Sequence, residues 1–387
     1  MTNTGMTTEA PTRLRVATFN VSMEALNYVD KSKSDPVNIN RNELTYALQN
    51  NNQQIKNIAE IIQRVNPDII LLNEFDRVDD SASNIRYFIN EYLARSQQNQ
   101  AAINYPYFYQ GPVNTGVTIN SDLNNNGKSN QLPGDTHGFG YFIGHFGMVL
   151  LSKYPIDEQA IRTFQKFKWH DMPDALIPTN PETNQPWYTK EAWQELRLSS
   201  KSHWDIPIRV NGETIHILAS HPTPPVFDGP ENRNGKRNHD EIRFWFDYIN
   251  TEQGAYIYDD NNQKGALKTN QRFIIIGDQN ASRVEGDAVM TKNSQGIIAL
   301  LNSNKIQDSL PSSIGGKKHS SENIYGVHHT AYWGMRADYV LPSTFGFNIK
   351  KSGVFWPQQN EDTYRLIENR QASSDHRLVW VDVELTN

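Results

Sequence analysis

The sequence predicts an α/β fold in which two packed, mixed β-sheets are flanked by helices, a four-layered α/β sandwich. Three observations predict it. Short apolar runs recur and end in polar residues, as in DIILLNEFD at 68–76 and RFIIIGDQN at 272–280. A run of that length bounded by Gly and Asp reads as a buried strand ending in a turn. Helical patterns separate the runs, and strands alternating with helices are the signature of layered α/β architectures.

The elements follow in chain order. Residues 1–12 are predicted to be a flexible tail. LRVATFN, 14–20, alternates apolar and polar residues and is the first strand. The polar, Asn-rich stretch 27–52 reads as a loop leading into a helix. Ile55, Ile58, Ala59, Ile62 and Val65 keep helical spacing, and Pro67 closes that helix. The run 68–76 is a strand reaching Glu74, and 84–95 reads as a second helix. Residues 110–145 form a Gly-, Asn- and Asp-rich insertion, after which 146–156 resumes a strand and turn. A second, irregular insertion covers 163–205. ETIHILASH, 213–221, is a strand ending in His221; 238–250 is a helix; 272–280 is the next strand and 287–301 a helix. RADYVLPS, 336–343, and RLVWVDVEL, 377–385, are late strands. The chain from 13 to 387 is thus predicted to be one domain with two insertions.

Bulk composition narrows the function classes. The 387 residues are 37% hydrophobic and 21% charged, which permits a large core. A net charge of −6 gives no electrostatic footprint for tight, nonspecific nucleic-acid binding. There is no cysteine, so disulfides, thiol catalysis and zinc–thiolate sites are excluded. No apolar core of a signal peptide is visible in 1–11, and no run approaches the roughly 18 apolar residues of a membrane span.

Six strand-end signals carry the chemistry. They are Asn20 in TFN, Glu74 in NEFD, His221 in ASHPTPP, Asp278 with Asn280 in GDQN, Asp338 in RADYV, and Asp375-His376 in SSDHRLVW. Taken alone, an Asp–Asn pair after a strand is a turn former. In this order the signals resemble the endonuclease/exonuclease/phosphatase superfamily, over roughly 13–385, with GMVLLSKYPI similar to its central strand. The stretch from LSSKSHWDIPI to RFWFDYI resembles a bacterial subgroup of often exported members, which implies a location outside the cytoplasm.

The resemblance implies a role for each residue. Glu74 is the expected ligand of a divalent cation (Mg, Mn, Ca or Fe), with Asn20, Asp375 and Asp278 around it, because hard carboxylates suit such ions. Asp278 is expected to orient or deprotonate the attacking water, and Asn280 to donate to a phosphoryl oxygen. His376 is expected to offset phosphoryl charge as an imidazolium oriented by Asp338, and His221 to face the phosphate or leaving oxygen. The implied function is a metal-dependent phosphoester hydrolase working by direct water attack. A phosphomonoesterase of phosphate-scavenging type or a small-molecule phosphodiesterase comes first. A nuclease acting on nucleic acid is the alternative. A non-catalytic binding protein on the same fold is the third reading, and the intact residue set argues against it.

Other features stay open. After the Pro-stiffened loop at 222–225 come Arg233, Lys236, Arg237 and His239. They read either as a solvated loop or as an anion-facing flap that selects the substrate, with Lys201 and His203 as further candidates. Asp122, Asn124, Asn126 and Gly127 match the first half of an EF-hand-type Ca²⁺ loop, but its twelfth position is Pro133. An additional Ca²⁺ site completed by backbone carbonyls or Asp135 competes with a plain Asn-rich turn. His137, His145, His328 and His329 read as a second metal site or as surface histidines, and the tryptophans as packing residues.

Overall fold

The structure, a computed structural model, describes residues 12–29, 39–290 and 295–386. The strands are β1 (Arg13–Met23), β2 (Ile69–Phe75), β3 (Tyr107–Tyr109), β4 (Met148–Ser152), β5 (Arg162–Thr163), β6 (His203–Val210), β7 (Glu213–Ser220), β8 (Arg272–Asp278), β9 (Asp338–Pro342), β10 (Phe347–Val354) and β11 (Val379–Leu385). Six form one sheet in the order β10-β11-β1-β2-β4-β3, and five form the other, β5-β6-β7-β8-β9. The helices are α1 (Glu43–Gln49), α2 (Gln53–Val65), α3 (Ser83–Phe88), α4 (Lys190–Glu195), α5 (Arg233–Ile249), α6 (Asp287–Met290), α7 (Gln295–Leu301) and α8 (Ile314–His319). No helix among the described residues is long and apolar enough to cross a membrane.

Period-two patterning makes the layers. Along β7 and β8, Ile217, Ala219, Ile274 and Ile276 face the first sheet and join its core. Leu218, Phe273 and Ile275 point the other way and pack with Phe244, Trp245 and Tyr248 of α5. On the outer side of the first sheet, α2 buries Ile55, Ile58 and Ile62 in the same core. Its ends follow from local chemistry: the Asn52 side chain accepts from the Gln54 N–H, and Asn66 turns left-handed at φ 53° before Pro67.

Each sheet contains one parallel pair, β1–β2 and β7–β8. Parallel neighbours need crossovers, which α1 and α2 supply in one sheet and α5 in the other. Their C-terminal ends therefore emerge together. The antiparallel neighbours start where these strands end: Asp278 on β8 pairs with Asp338 on β9, and Thr18 on β1 pairs with Val379 on β11. Polar strand ends distant in sequence are thus gathered at one edge of the sandwich.

The expected fold is found, with differences that have physical causes. The strand β6 went unread: its first residues fall in the expected insertion at 163–205, and HWDIPIRV carries Pro207. Its neighbour β5 pairs only with Trp204 and Asp205. Beyond β5 the same edge is bridged by Ile156 to Ile208, where the Pro207 carbonyl accepts the Asp157 N–H at 2.9 Å, so the missing N–H falls on the edge of the sheet and not between β6 and β7. The strand β10 also went unread. The helix α5 begins at Arg233 rather than 238, which places Arg233, Lys236, Arg237 and His239 in its first turns instead of a loop. The helix expected over 84–95 is α3 followed by a π-helical turn at Ile89–Leu93. Of the 287–301 helix, α6 and α7 are seen, and 291–294 lie outside the described residues, as do 1–11 of the expected tail and 30–38 of the Asn-rich stretch.

Candidate active site

Strand ends deliver the site, and their backbone is bent to do so. Ser22, Glu74 and Asn280 take φ values of 47°, 56° and 51°, left-handed conformations that non-glycine residues rarely adopt. Gly277 has φ 139°, and a Cβ there would lie 2.0 Å from the Ser220 carbonyl oxygen. Only glycine allows β7 and β8 to close so tightly where His221 and Asp278 leave their strands.

Asp278 is the hub. Its Oδ2 receives the Asn20 side-chain amide at 3.1 Å, His221 Nε2 at 3.3 Å and His376 Nε2 at 3.5 Å. Its Oδ1 accepts the Asn280 backbone N–H at 2.9 Å. Burial alone would raise this carboxyl, but the His376 charge, His221 and the Asn20 amide hold it well below the usual carboxylate range. His376 Nδ1 donates to Asp338 Oδ2 at 2.9 Å, and Thr330 Oγ1 donates to the same oxygen at 2.7 Å. Burial works against the imidazolium, yet Asp338 and Asp278 overcome it and push His376 up to about 10. Asp338 itself, raised by burial and by Asp278, reaches about 6. At neutral pH a positive His376 therefore lies between two carboxylates. His221 is different: burial, and the charge of Lys201, lower it and favour the neutral ring.

Glu74 projects into the adjacent cavity and makes no hydrogen bond or ion pair with any described residue. Burial raises its carboxyl, with Asp375 and Glu24 adding to the effect. The cavity, about 600 Å³, is also lined by Asp278, Asn280, Asp375, His376, Arg370 and Trp333. Asp375 accepts from Arg370 at 3.2 Å and from Ser22 Oγ at 3.4 Å. An unpartnered, half-buried carboxylate beside a second one suits a hard divalent cation. Asp278, Asp338 and His376 also lie within 4.8 Å of one another. That trio is an ill-suited metal site, because its histidine is protonated and a metal needs the neutral ring.

The other expected residues sort clearly. Asn20 spends its amide on Asp278, and its oxygen accepts the Ser22 N–H at 3.2 Å, so it positions the hub. Asn280 lines the cavity while donating to the Pro222 carbonyl at 3.1 Å. Lys201, Arg233 and Arg237 line a neighbouring chamber instead. His239 reaches neither, since its Nδ1 lies 2.8 Å from Asp240. In the Ca²⁺ candidate, Asp122 accepts the Asn126 and Gly127 N–H groups at 3.2 and 2.7 Å, and Asn126 accepts that of Lys128 at 2.9 Å. These bonds make a self-contained Asx turn. The four histidines do not converge. His145 and His329 are fully buried, not on the surface, and each pairs with one glutamate, Glu24 and Glu285.

Three contributors escaped sequence reading. Asn73 spans the sheets: its Oδ1 accepts from Thr18 Oγ1 at 3.3 Å and from the Asp278 N–H at 3.2 Å. A polar residue inside an apolar run was its signal. Trp333 stands edge-on to His376, ring centroids 4.9 Å apart, and is half exposed. Arg370 braces Asp375. Neither of these two has a local signature. Trp169, Trp204 and Trp245 are core residues, as expected.

Comparison with known proteins places the chain in a family and matches its fold. A family model described as "Endonuclease/Exonuclease/phosphatase family" matches residues 17–376. The fold is similar to that of an endonuclease/exonuclease/phosphatase from Beutenbergia cavernae DSM 12333, at 16% identity and TM-score 0.51, over 97% of this chain and 72% of that one. It is also similar to the human Nocturnin catalytic domain with bound sulfate anion, at 14% identity and TM-score 0.48, over 97% and 94% of the two chains. Truncated Caenorhabditis elegans TDP2 aligns at 13% identity and TM-score 0.41, over 96% and 97%. Among curated proteins, none matches the chain in sequence.

Proposed function

This chain belongs to the endonuclease/exonuclease/phosphatase family, whose members are generally metal-dependent hydrolases of phosphoester bonds, and from that premise we propose that it hydrolyses small phosphomonoesters or phosphodiesters by direct attack of water on phosphorus. One observation carries the reading. Asn20, His221 and His376 converge on Asp278 Oδ2 at the edge of a cavity that also holds the unpartnered Glu74 carboxylate.

Glu74 and Asp375 would hold the divalent cation, which supplies Lewis-acid relief of phosphoryl charge when bound. The chain's own groups do the rest. Asp278, held strongly anionic, is a weak base and a good acceptor, so it orients the attacking water. Proton removal then falls late, in keeping with a loose phosphoryl transition state. His376, its Nδ1 held by Asp338 and its Nε2 3.5 Å from Asp278, lines the cavity, and its charge would offset that of the phosphoryl oxygens. The Asn280 amide has a second N–H for the same purpose. Phe227 and Trp333 narrow the cavity, which favours a small ester over an open duplex groove.

The test is a panel of a chromogenic phosphomonoester, a chromogenic phosphodiester and plasmid DNA, each with Mg²⁺, Mn²⁺, Ca²⁺ or Fe²⁺ and with a chelator. Chelator-sensitive turnover of a small ester is expected, and Asp278→Asn should lower kcat about 10²–10⁴-fold with the circular dichroism spectrum retained. Nicked plasmid with both small esters intact would replace the substrate class by a nuclease. No turnover with any ion would leave a binding protein.

A further inference from the structure

Beside the reaction cavity lies a second chamber of about 460 Å³. The two meet at Glu74, Pro224 and Phe227, which line both. The outer walls come from the two insertions and the start of α5: Phe139, Tyr188, Lys201 and Arg237 all face it.

Its charges are unusual. Lys201 is 7% exposed, and its ammonium makes no hydrogen bond or ion pair with any described residue. A buried ammonium is ordinarily paired or deprotonated. Glu241, the acid nearest in effect, is already committed, its two oxygens accepting the Ser200 and Thr223 N–H groups at 2.6 Å each. Arg237, 9% exposed, donates to the carbonyls of Leu198, Arg197 and His137 and to no carboxylate. Arg233, by contrast, is neutralised by Glu231. Two buried basic groups thus face a chamber that opens onto the reaction cavity, and one of them lacks any partner among the described residues.

Resting on the phosphoesterase reading, we propose that this chamber receives a second anionic group of the substrate, with Lys201 as its direct partner and Arg237 reinforcing the field. The substrate class is then a small phosphoester whose alcohol carries a second phosphate or similar anion a few bonds from the ester being cut. Phosphate suits the pair because it is a dianion with several acceptor oxygens.

The probe is a series of α,ω-alkanediol bisphosphates, from ethanediol to hexanediol, compared with the alkyl monophosphates of equal length. Binding is measured calorimetrically with Mg²⁺ in an Asp278→Asn background, so that the result does not depend on turnover. The bisphosphates should bind about 10- to 100-fold more tightly, the yield of one charge-assisted hydrogen bond, with an optimum at one chain length. Adding Lys201→Met should abolish the preference, and Lys201→Arg should keep most of it. Equal affinity for the two series would overturn the proposal even if Lys201→Met did not fold. So would a Lys201→Met loss shared equally by bisphosphates and monophosphates, which would assign Lys201 to the reacting phosphate. The hydrolysis panel above judges the phosphoesterase reading separately.

Discussion

Asp278 Oδ2 accepts the Asn20 amide and lies 3.3 and 3.5 Å from Nε2 of His221 and His376, while Asp338 accepts His376 Nδ1–H from the other side. Because His376 is raised to about 10 against 6.5 for a free imidazole, its pairing favours the folded state most below pH 6.5. That contribution is lost as pH rises through about 10, since the native protein then gives up the proton that stabilises it. Activity should share that alkaline limb, and an acid limb near 6 should follow Asp338. In a pH–rate profile, His376→Gln should lower kcat by about 10²–10³-fold and abolish the alkaline limb. A limb that persists in the variant would assign it to another group. At this scale the sequence was legible where a polar residue ends an apolar run, as at Asn20, Glu74 and Asp278. Trp333 and Arg370 were illegible because their loops, not their neighbours in sequence, bring them to the cavity.

At the level of elements, the seam between β7 and β8 depends on Gly277, whose φ of 139° and contact with Ser220 leave no room for a side chain. Gly277→Ala should destabilise the protein by roughly 2–4 kcal/mol, combining backbone strain with a steric clash. Urea denaturation checks this, and a loss under 1 kcal/mol would show that the seam can relax. The strands β7 and β8 were legible because their period-two apolar pattern is unbroken. The strand β6 was not, because Pro207 breaks the strand signal and is acceptable only on the sheet's edge side, a fact of pairing rather than of sequence. The start of α5 was hidden for a related reason: Arg233, Lys236 and Arg237 look like a solvated loop until the insertions wall them in.

For the molecule as a whole, Glu74 is the proposed metal ligand, and a metal that binds the native state stabilises it by mass action. Added Mg²⁺ or Mn²⁺ at about 100 times its Kd should contribute about 2.7 kcal/mol and raise Tm by a few degrees. Differential scanning calorimetry should find the shift reversed by a chelator and absent in Glu74→Gln. An undiminished shift in that variant would place the ion elsewhere. The strand β1 lies between β2 and β11, so the first strand waits for the last. During synthesis Asn20 and Glu74 emerge roughly 300 residues before His376 does. Glu74, the proposed metal ligand, is therefore made long before the imidazole that stands beside it in the folded chain. Until β11 docks beside β1, the candidate site lacks His376, so the proposed activity waits on a pairing between strands far apart in the chain.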